Sequence, residues 1–297
     1  MRALSIGGRL TLLKSVLGSI PIFHMSIFRV PSRVLHELES IRYHFFNFHE
    51  VGSNKATWVK WNSVLTDKKY GGLGVSSLYA LNRGLMIKWV WSFYNQKSSL
   101  WANVIKAIHG EDGKVDTVCK SDDRSCWITI VNEVRALSRQ GVHIFNFMKL
   151  RLGNGDTTKF WTDHWYGGGI FKDLCPRLYA LENCKEGVEQ EQLGVLSEVV
   201  SSINLVPMAD RWVWNLENSG EFSVSSIRKK TDERRFPKVG DTTRWVKFVP
   251  IKVNILAWKI RNDGLPIRFN ISHRDARRCL VYNVVVCLEL SEQASLR

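Results

Sequence analysis

The chain has 297 residues, of which 44% are hydrophobic, and it carries a formal net charge of +14 at pH 7. This length can bury a core and divide into two or three units. No apolar run reaches the roughly 20 residues that span a bilayer, and six scattered cysteines are typical of a reducing compartment rather than a disulfide framework. We therefore expect a soluble intracellular protein, in the nucleus or cytoplasm, without membrane contact. Composition leaves its oligomeric state open.

The basic excess is concentrated in two blocks. Residues 1–110 carry 14 basic and 4 acidic side chains, residues 111–210 carry 11 and 15, and residues 211–297 carry 17 and 9. Two basic blocks around an acidic middle favour a polyanionic partner, because lysine and arginine gain affinity by releasing counterions from phosphates. The alternative is a basic surface that serves solubility alone.

Apolar residues at helical spacing dominate the first half of the chain. A first helix is expected after Gly7-Gly8, ending before Pro21. A second begins at Pro31, and its predicted core face is Val34, Leu38, Ile41, Phe45 and Phe48. A third is expected over 77–94, and a fourth over 100–108 with a core face of Trp101, Val104, Ile105 and Ile108. The segment Gly71-Gly72-Leu73-Gly74 lacks the Gly-Lys-Ser/Thr of a phosphate-binding loop and is predicted to be a turn.

The helical spacing of apolar residues changes after Gly110. Lys149 to Trp161 predicts a β-hairpin that turns at Asn154-Gly155, the strongest short signal for such a turn. A second hairpin is expected between 212–216 and 221–224. A helix then begins near residue 225, Arg228 to Gly240 is predicted to be an exposed charged linker, and an apolar helix covers Lys252 to Ile260. The predicted fold class is α+β, with a mainly helical N-terminal half, then two β-hairpins with helices in a mixed C-terminal half.

Several motifs in a fixed order give the chain a family resemblance. Near the C-terminus they are Phe222-Ser223-Val224, Trp245-Val246-Lys247 and the run from Val249 to Asn270. Together with Leu4 to Leu17 and with Phe160 to Trp165, they resemble the part of plant non-LTR (LINE-type) retrotransposon reverse transcriptases that follows the polymerase palm. The similarity extends over about residues 4–275.

The resemblance implies four parts. Residues 1–110 would form a helical thumb-like region, 111–210 an acidic connecting region with the first hairpin, and 211–275 a region like the zinc-binding module of that family. Residues 276–297 diverge from the family pattern and are expected to be disordered.

The family's polymerase holds magnesium on palm aspartates, and the resemblance places that palm upstream of Met1. The only Asp-Asp pair in the chain, Asp122-Asp123, lies among polar residues, which predicts a solvated loop rather than a metal-bearing hairpin. We therefore assign no catalytic residue.

Structural zinc sites usually begin with a close cysteine pair. The pairs Cys119/Cys126, Cys175/Cys184 and Cys279/Cys287 are all spaced too widely, and no cysteine or histidine follows Cys287. We assign no metal ligand and expect no cofactor. By the resemblance, magnesium would belong to the missing palm and zinc to the lost knuckle.

The leading hypothesis is a truncated fragment of a retrotransposon-derived reverse transcriptase, an RNA-directed DNA polymerase, without catalysis and with weak, non-specific binding to RNA or DNA. The alternatives are a portion of an active polymerase whose palm lies on an upstream segment, and a domesticated nucleic-acid-binding module. The family's helical region is expected to embrace the template–primer duplex. The candidate contact residues are Arg2, Arg9 and Lys14 on the polar face of the first helix, and Lys68 and Lys69 beside the glycine turn.

Overall fold

The computed structural model describes residues 4–47, 59–113, 115, 125–167, 169–181, 190–236, 238–240, 242–243, 245–246 and 248–262. Over these residues the fold is α+β and mostly helical, as the sequence predicts. The helices are α1 Ile6–Ser15, α2 Ile22–Met25, α3 Ser32–Asn47, α4 Trp61–Leu65, α5 Leu78–Asn95, α6 Leu100–His109, α7 Cys126–Arg139, α8 Phe171–Leu174, α9 Pro176–Leu181, α10 Gln190–Ser201, α11 Val224–Arg235 and α12 Ile251–Arg261. The strands are β1 Met148–Arg151 and β2 Arg211–Trp214, and two 3₁₀ turns cover Lys68–Tyr70 and Ile144–Phe147.

The chain divides into two compact units. Unit 1 combines residues 1–86 with 227–297, and unit 2 covers 87–226. The four parts that the resemblance implies stay a prediction beside this division, and the tail 276–297 lies outside the described residues.

The core of unit 1 forms where α1 packs against α3 and α12. Its buried side chains are Leu10, Leu13, Phe46, Val59, Val64, Leu65, Leu73, Val75, Phe236, Ile255 and Trp258. Each large side chain buried in this way contributes about 1.5–3 kcal/mol. Gly7 allows the close approach of α1 to α12, because a Cβ there would lie 3.1 Å from the backbone nitrogen of Lys252.

The predicted core faces of two helices are wrong in part. On α3, Val34 and Ile41 are exposed, and the buried face is instead Leu35, Arg42, His44 and Phe46. On α6, Ile105 is buried as predicted, but Val104 and Ile108 are exposed. The reason on α3 is that Arg42 is buried and has partners at its charged end: its guanidinium donates to Glu39 Oε1 at 2.9 Å and to the Ser76 carbonyl at 3.0 Å. A pattern that assigns only apolar residues to the interior misses such a pair.

The segment predicted to be an exposed linker is mostly helix. The helix α11 continues to Arg235, and Thr231, Asp232 and Phe236 are buried. The Ser77 hydroxyl donates to the Asp232 carboxylate at 2.6 Å, and the Ser77 amide donates to it at 3.3 Å. A buried carboxylate with a distant partner therefore fixes a charged stretch that looks solvated in the sequence.

Both predicted hairpins are wrong. The strand β1 pairs antiparallel with β2, with Met148 opposite Trp214 and Arg151 opposite Arg211. The chain then leaves β2 through a turn in which the Trp214 amide donates to the Gly220 carbonyl at 2.7 Å, and it enters α11. The turn signal at Asn154-Gly155 fails because those residues belong to a loop wrapped around a carboxylate.

That carboxylate is Asp210, 57 positions after Gly153. It accepts hydrogen bonds from five donors of the loop, which are Gly153 N at 2.8 Å, Gly155 N at 3.0 Å, Thr157 N at 3.0 Å, Thr157 Oγ1 at 3.1 Å and Thr158 Oγ1 at 2.9 Å. Partial desolvation would raise the pKa of Asp210, but these bonds outweigh it and hold the pKa well below its usual range. The loop therefore folds around the Asp210 carboxylate and donates five hydrogen bonds to it.

Aromatic side chains build much of the core of unit 2. Trp214 is fully buried, and its indole donates to Ser226 Oγ at 2.9 Å. Trp127 donates to the Gly113 carbonyl at 2.7 Å and packs against Phe93, with ring centres 5.0 Å apart. These two buried indoles thus find acceptors while their rings fill the core.

Candidate nucleic-acid interface

The glycine turn of unit 1, residues 68–74, is the scaffold on which the candidate lysines lie. Six consecutive backbone carbonyls of this turn accept hydrogen bonds from donors distant in sequence. In chain order the donors are Thr243 N, Thr242 Oγ1, Val239 and Gly240 N, Trp258 Nε1, Thr243 Oγ1 and Lys14 Nζ, at distances between 2.7 and 3.2 Å. Because the acceptors are carbonyls, this segment is a structural turn and not a phosphate-binding loop, as the sequence predicts.

Glycine is required in the turn for two reasons. Gly71 and Gly74 have φ values of 85° and 62°, in the left-handed region that side chains with a Cβ rarely adopt. A Cβ on Gly72 would lie 1.9 Å from the Thr66 carbonyl oxygen. The sequence of this turn is therefore dictated by backbone geometry.

Lys14 lies at this turn close to two other cations of unit 1. The Lys14 ammonium donates to the Leu73 carbonyl at 2.8 Å. Desolvation, with the charges of Lys68 and Arg228, lowers the pKa of Lys14 to about 8, while Asp67 acts in the opposite direction. Like charges lower a lysine's pKa only when they are close. Lys14, Lys68 and Arg228 therefore form one positive cluster, named here the turn cluster.

Lys68 is held in place by an aromatic ring. Its Nζ lies 4.1 Å from the centre of the Trp245 ring, a cation–π contact. Desolvation lowers the pKa of Lys68, and only Asp67 opposes this shift. Lys69, the next residue, is exposed and adds a further charge on the same turn.

A second pair of cations lies on the packed helices α1 and α12. Desolvation and the charge of Arg9 lower the pKa of Lys259. Desolvation also lowers the pKa of Arg9. In this pair, as in the turn cluster, the charge of one cation lowers the pKa of another.

The structure brings several of the candidate residues together. Lys14 and Lys68 meet in the turn cluster, Lys69 follows directly, and Arg9 lies beside Lys259. Arg2 lies outside the described residues. Lys14 also has a structural contact, its bond to Leu73, that the sequence does not predict. Nucleic-acid contact by these five residues stays a prediction.

Sequence reasoning missed Arg228 and Lys259. Arg228 fell within the supposed linker, and Lys259 within a helix taken as apolar. A usable signal for Arg228 was the helix start after Ser223, because continuing the helical spacing from Ile227 leads to Thr231 and the buried Asp232. No local signal places Lys259 beside Arg9, since 250 positions separate them.

In the part of the chain that the structure describes, no group of three or more His, Cys, Asp or Glu side chains could hold a metal ion. The pair Asp122-Asp123 lies outside that part, as do Cys119, Cys184, Cys279 and Cys287. Cys126 and Cys175 lie within it, and burial raises the pKa of the Cys126 thiol. The expectations about magnesium and zinc stay predictions.

None of the helices in the described ranges is both long and apolar enough to cross a membrane.

Comparison with known proteins finds a distant relative. The chain is 27% identical over 294 aligned residues to a protein of Arabidopsis thaliana named "Putative ribonuclease H protein". The match covers 89% of this chain and 46% of that protein, so the chain spans about half the length of its relative. No protein-family model matches the sequence, and no solved structure does.

Proposed function

We propose that this chain is a fragment of a retrotransposon-derived reverse transcriptase that binds RNA or DNA weakly and without sequence preference, and that has no polymerase activity of its own. The binding surface is the basic face of unit 1, defined as the turn cluster with Lys69, Arg9 and Lys259. The observation that carries the proposal is the position of Lys14, whose ammonium donates to the Leu73 carbonyl and whose pKa is lowered by desolvation and by the charges of Lys68 and Arg228.

A phosphate beside Lys14 would relieve the repulsion that Lys68 and Arg228 exert on its ammonium. Side chains without a rigid base-reading geometry contact the phosphate backbone and not the base edges. The binding is therefore expected to be tolerant of sequence and strongly dependent on salt.

The relative supports a nucleic-acid context. The Arabidopsis protein is named as a ribonuclease H protein. The order of motifs from Leu4 to Asn270 supports the more specific origin in a non-LTR reverse transcriptase.

A fluorescence-anisotropy titration with labelled duplex DNA and single-stranded RNA at two salt concentrations tests the binding. For duplex DNA, log affinity is expected to fall by about 0.9 per neutralised phosphate for each tenfold increase in salt. Replacing Arg9, Lys68 and Lys69 by glutamine is expected to reduce both the affinity at low salt and this slope.

The matched control removes charge elsewhere. Lys60 and Lys88 are exposed, and they take no part in the turn cluster. Glutamine at these two positions is expected to change the affinity less than twofold. No binding at low salt, or equal losses in both variants, would contradict the proposal.

The proposed absence of polymerase activity is tested by primer extension with magnesium or manganese. The purified chain is expected to incorporate no nucleotide on an RNA or DNA template. Incorporation lost on replacing Asp122 and Asp123 by alanine would assign catalysis to that pair, and incorporation that survives the replacement would reveal another site.

The partial coverage of the relative favours one alternative, in which the chain is a portion of an active RNA-directed DNA polymerase. A truncated fragment and a portion of an active polymerase can be distinguished by the genomic DNA immediately 5′ of the start codon. An open reading frame there that encodes an aromatic-x-Asp-Asp turn would support the active polymerase.

A further inference from the structure

A cleft of about 680 Å³ in unit 2 is separate from the basic face and has a different chemical character. Its aromatic lining comes from the end of α5, from the 3₁₀ turn and from β2, in the side chains of Phe93, Tyr94, Phe145 and Trp212. Ligand pockets of about 300–1,000 Å³ accept molecules of nucleotide size.

The aromatic wall presents ring surface to the cleft. Tyr94 stands edge to face with Trp212, at 5.2 Å between ring centres, and with Phe145, at 6.1 Å. All three side chains are half-buried, so they keep accessible surface after packing against one another. A flat aromatic ligand can stack on such a wall, because bases stack on protein rings whatever their sequence.

Trp212 contributes its ring to this wall and not a donor. Its indole Nε1 is shielded from solvent and has no hydrogen-bond partner among the described residues, so a ligand in the cleft cannot reach that N–H. The hydrogen-bonding group for a ligand must therefore come from another side chain of the lining.

The charges of the cleft are balanced, which excludes a track for a phosphate chain. Its four lysines, Lys97, Lys106, Lys149 and Lys159, are matched by four carboxylates, Glu111, Asp112, Asp163 and Asp173. Two pairs are already formed, Lys159 with Asp112 at 2.6 Å and Lys106 with Glu111 at 3.6 Å. The ligand must therefore be attracted by its ring and its hydrogen-bonding edge more than by its charge.

Asp163 supplies the acceptor. One of its oxygens accepts the Lys159 amide at 2.8 Å, which leaves capacity on the carboxylate for a second donor. Desolvation raises the pKa of Asp163, against the opposing amide bond and the charges of Lys97 and Lys159. A partly desolvated carboxylate gains from a ligand N–H that replaces lost water.

We propose that this cleft binds a single unpaired nucleobase, which stacks on the wall of Tyr94, Phe145 and Trp212 and donates a hydrogen bond to Asp163. The base comes from a single-stranded nucleic acid or from a free nucleotide. The site does not depend on the basic face of unit 1, which binds phosphates and not bases.

Two arms of one experiment distinguish the sources of the base. The first compares a labelled eight-nucleotide RNA with a strand of the same length that lacks every base, using anisotropy. The second titrates the four ribonucleoside monophosphates and follows intrinsic tryptophan fluorescence. We expect the RNA to bind about 5- to 100-fold more tightly than the abasic strand, the range that stacking of one base supplies.

Two variants test the assignment. Trp212→Leu and Phe145→Leu each remove a ring from the wall. Each is expected to lose at least half of the preference, expressed as log affinity, for the RNA over the abasic strand. The matched controls are Trp165→Leu and Phe160→Leu, which make the same changes outside the lining of the cleft and are expected to keep the preference. Thermal melts establish that each variant is folded, and if Trp212→Leu is not, Phe145→Leu decides.

The outcomes separate this proposal from the function proposed above. Equal affinity for the RNA and the abasic strand, with no response to the nucleotides, overturns the base site and leaves phosphate binding intact. A response to nucleotides without binding of either strand supports the base site and contradicts the basic face. A preference that both cleft variants keep overturns the assignment to this cleft.

Discussion

The glycine turn of unit 1 and the glycine loop of unit 2 reach order by opposite means. In the turn, six consecutive carbonyls accept bonds from a dispersed set of donors in residues 239–243, Trp258 and Lys14. In the loop, residues 153–158, three amides and two hydroxyls all donate to the single carboxylate of Asp210. The turn is therefore stabilised by many separate donors, whereas the loop is stabilised by one acceptor side chain.

The same contrast extends to the two carboxylates that connect distant segments. Asp210 has five donors and a pKa well below its usual range. Asp232 in unit 1 has two bonds, both from Ser77, and desolvation raises its pKa to about 6 against those bonds and the charge of Arg228. Asp232 is buried more deeply than Asp210 and has fewer donors, so its desolvation is not offset. The two carboxylates are thus expected to change stability with pH in opposite directions.

The largest losses of stability are expected at glycines whose Cα lies against a neighbouring backbone carbonyl. A Cβ on Gly72 would lie 1.9 Å from the Thr66 carbonyl oxygen, and one on Gly153 would lie 1.9 Å from that of Met208. Alanine at either position must displace backbone, so we expect a loss of more than about 3 kcal/mol in the free energy of unfolding. Urea denaturation followed by circular dichroism measures the loss.

The control substitutions use glycines with room for a methyl group. Gly194 in α10 has no atom within 4 Å of its built Cβ, and Gly8 in α1 has only ordinary contacts. Alanine there is expected to raise stability by about 0.5–1 kcal/mol through helix propensity. A loss below about 1 kcal/mol for Gly72→Ala or Gly153→Ala would show that the turn or loop can move aside.

Removing the Asp210 carboxylate is expected to have the next largest effect. Asp210→Ala leaves five donors without their acceptor, and we expect a loss of about 3 kcal/mol, because bonds to charged groups contribute about 1.5–3 kcal/mol each and water replaces some of them. Its pKa is depressed, so this stability is present above the unfolded value of about 3.9 and is lost as pH falls below it. Denaturation at pH 7 and pH 3 measures both effects.

Glu198→Ala serves as the control for Asp210→Ala, because Glu198 is an exposed carboxylate on α10 of the same unit. It is expected to change stability by less than about 0.5 kcal/mol. Similar losses for the two variants would mean that the loop does not depend on the Asp210 carboxylate.

Asp232 is expected to act in the opposite direction on pH. Its folded pKa of about 6 exceeds the unfolded value of about 3.9. The folded state therefore binds more protons between these values, and the stability from this group is full below about pH 3.9 and is lost as pH rises through about 6. Asp232→Asn keeps an acceptor for Ser77, so we expect wild type to lose about 2 kcal/mol relative to this variant between pH 4 and pH 7. Parallel stability curves for the two proteins would contradict the raised pKa.

Local patterns predicted the elements whose packing is local. The helices α5 and α12 follow from dense apolar spacing, and the glycine turn follows from its composition, because backbone geometry dictates both. The face of α3 did not follow, since Arg42, which is buried and paired with the half-buried Glu39, appears solvated in sequence. The hairpin at Asn154-Gly155 did not follow either, because the residue that captures those amides lies more than fifty positions later.

In the candidate site too, some residues could be predicted from local sequence and others depend on tertiary contacts. Charge counts singled out Lys14 and Lys68, which the structure places in one cluster, because basic residues near a turn are visible in sequence. Arg228 and Lys259 complete the basic face through tertiary contacts alone. The cleft of unit 2 was not predicted, since its aromatic wall joins three separate elements and its tryptophan looks like any other core residue.

One donor among many is expected to matter little in the turn of unit 1. Thr243→Val keeps the shape of the side chain and removes the bond from Oγ1 to the Gly72 carbonyl at 2.9 Å. We expect a loss of about 1 kcal/mol in urea denaturation, the net contribution of one hydrogen bond. A loss as large as that of Asp210→Ala would mean that the turn depends on a single contact after all, as the loop of unit 2 does.

The smallest effect on stability is expected at Lys14, where a structural bond and charge repulsion oppose each other. Lys14→Gln loses the ammonium bond to Leu73 but removes a cation from beside Lys68 and Arg228. We expect its stability at pH 7 to remain within about 0.5 kcal/mol of wild type. The folded pKa of about 8 lies below the usual 10.5, so the unfolded state binds more protons between these values. Wild type is therefore expected to gain stability relative to Lys14→Gln as pH rises from 8 to 10.5, by about 1 kcal/mol after solvent screening of an exposed side chain.

The same pKa bears on nucleic-acid binding by the turn cluster. Wild type loses the Lys14 charge as pH rises through about 8, so its affinity for duplex DNA is expected to fall between pH 7 and pH 9 by a few fold. Lys14→Gln is expected to bind with the lower affinity at both pH values, with less change between them. Anisotropy titrations of both proteins at constant ionic strength make the comparison. Equal pH dependence in the two proteins would remove Lys14 from the phosphate-binding face and leave it a purely structural donor to the turn.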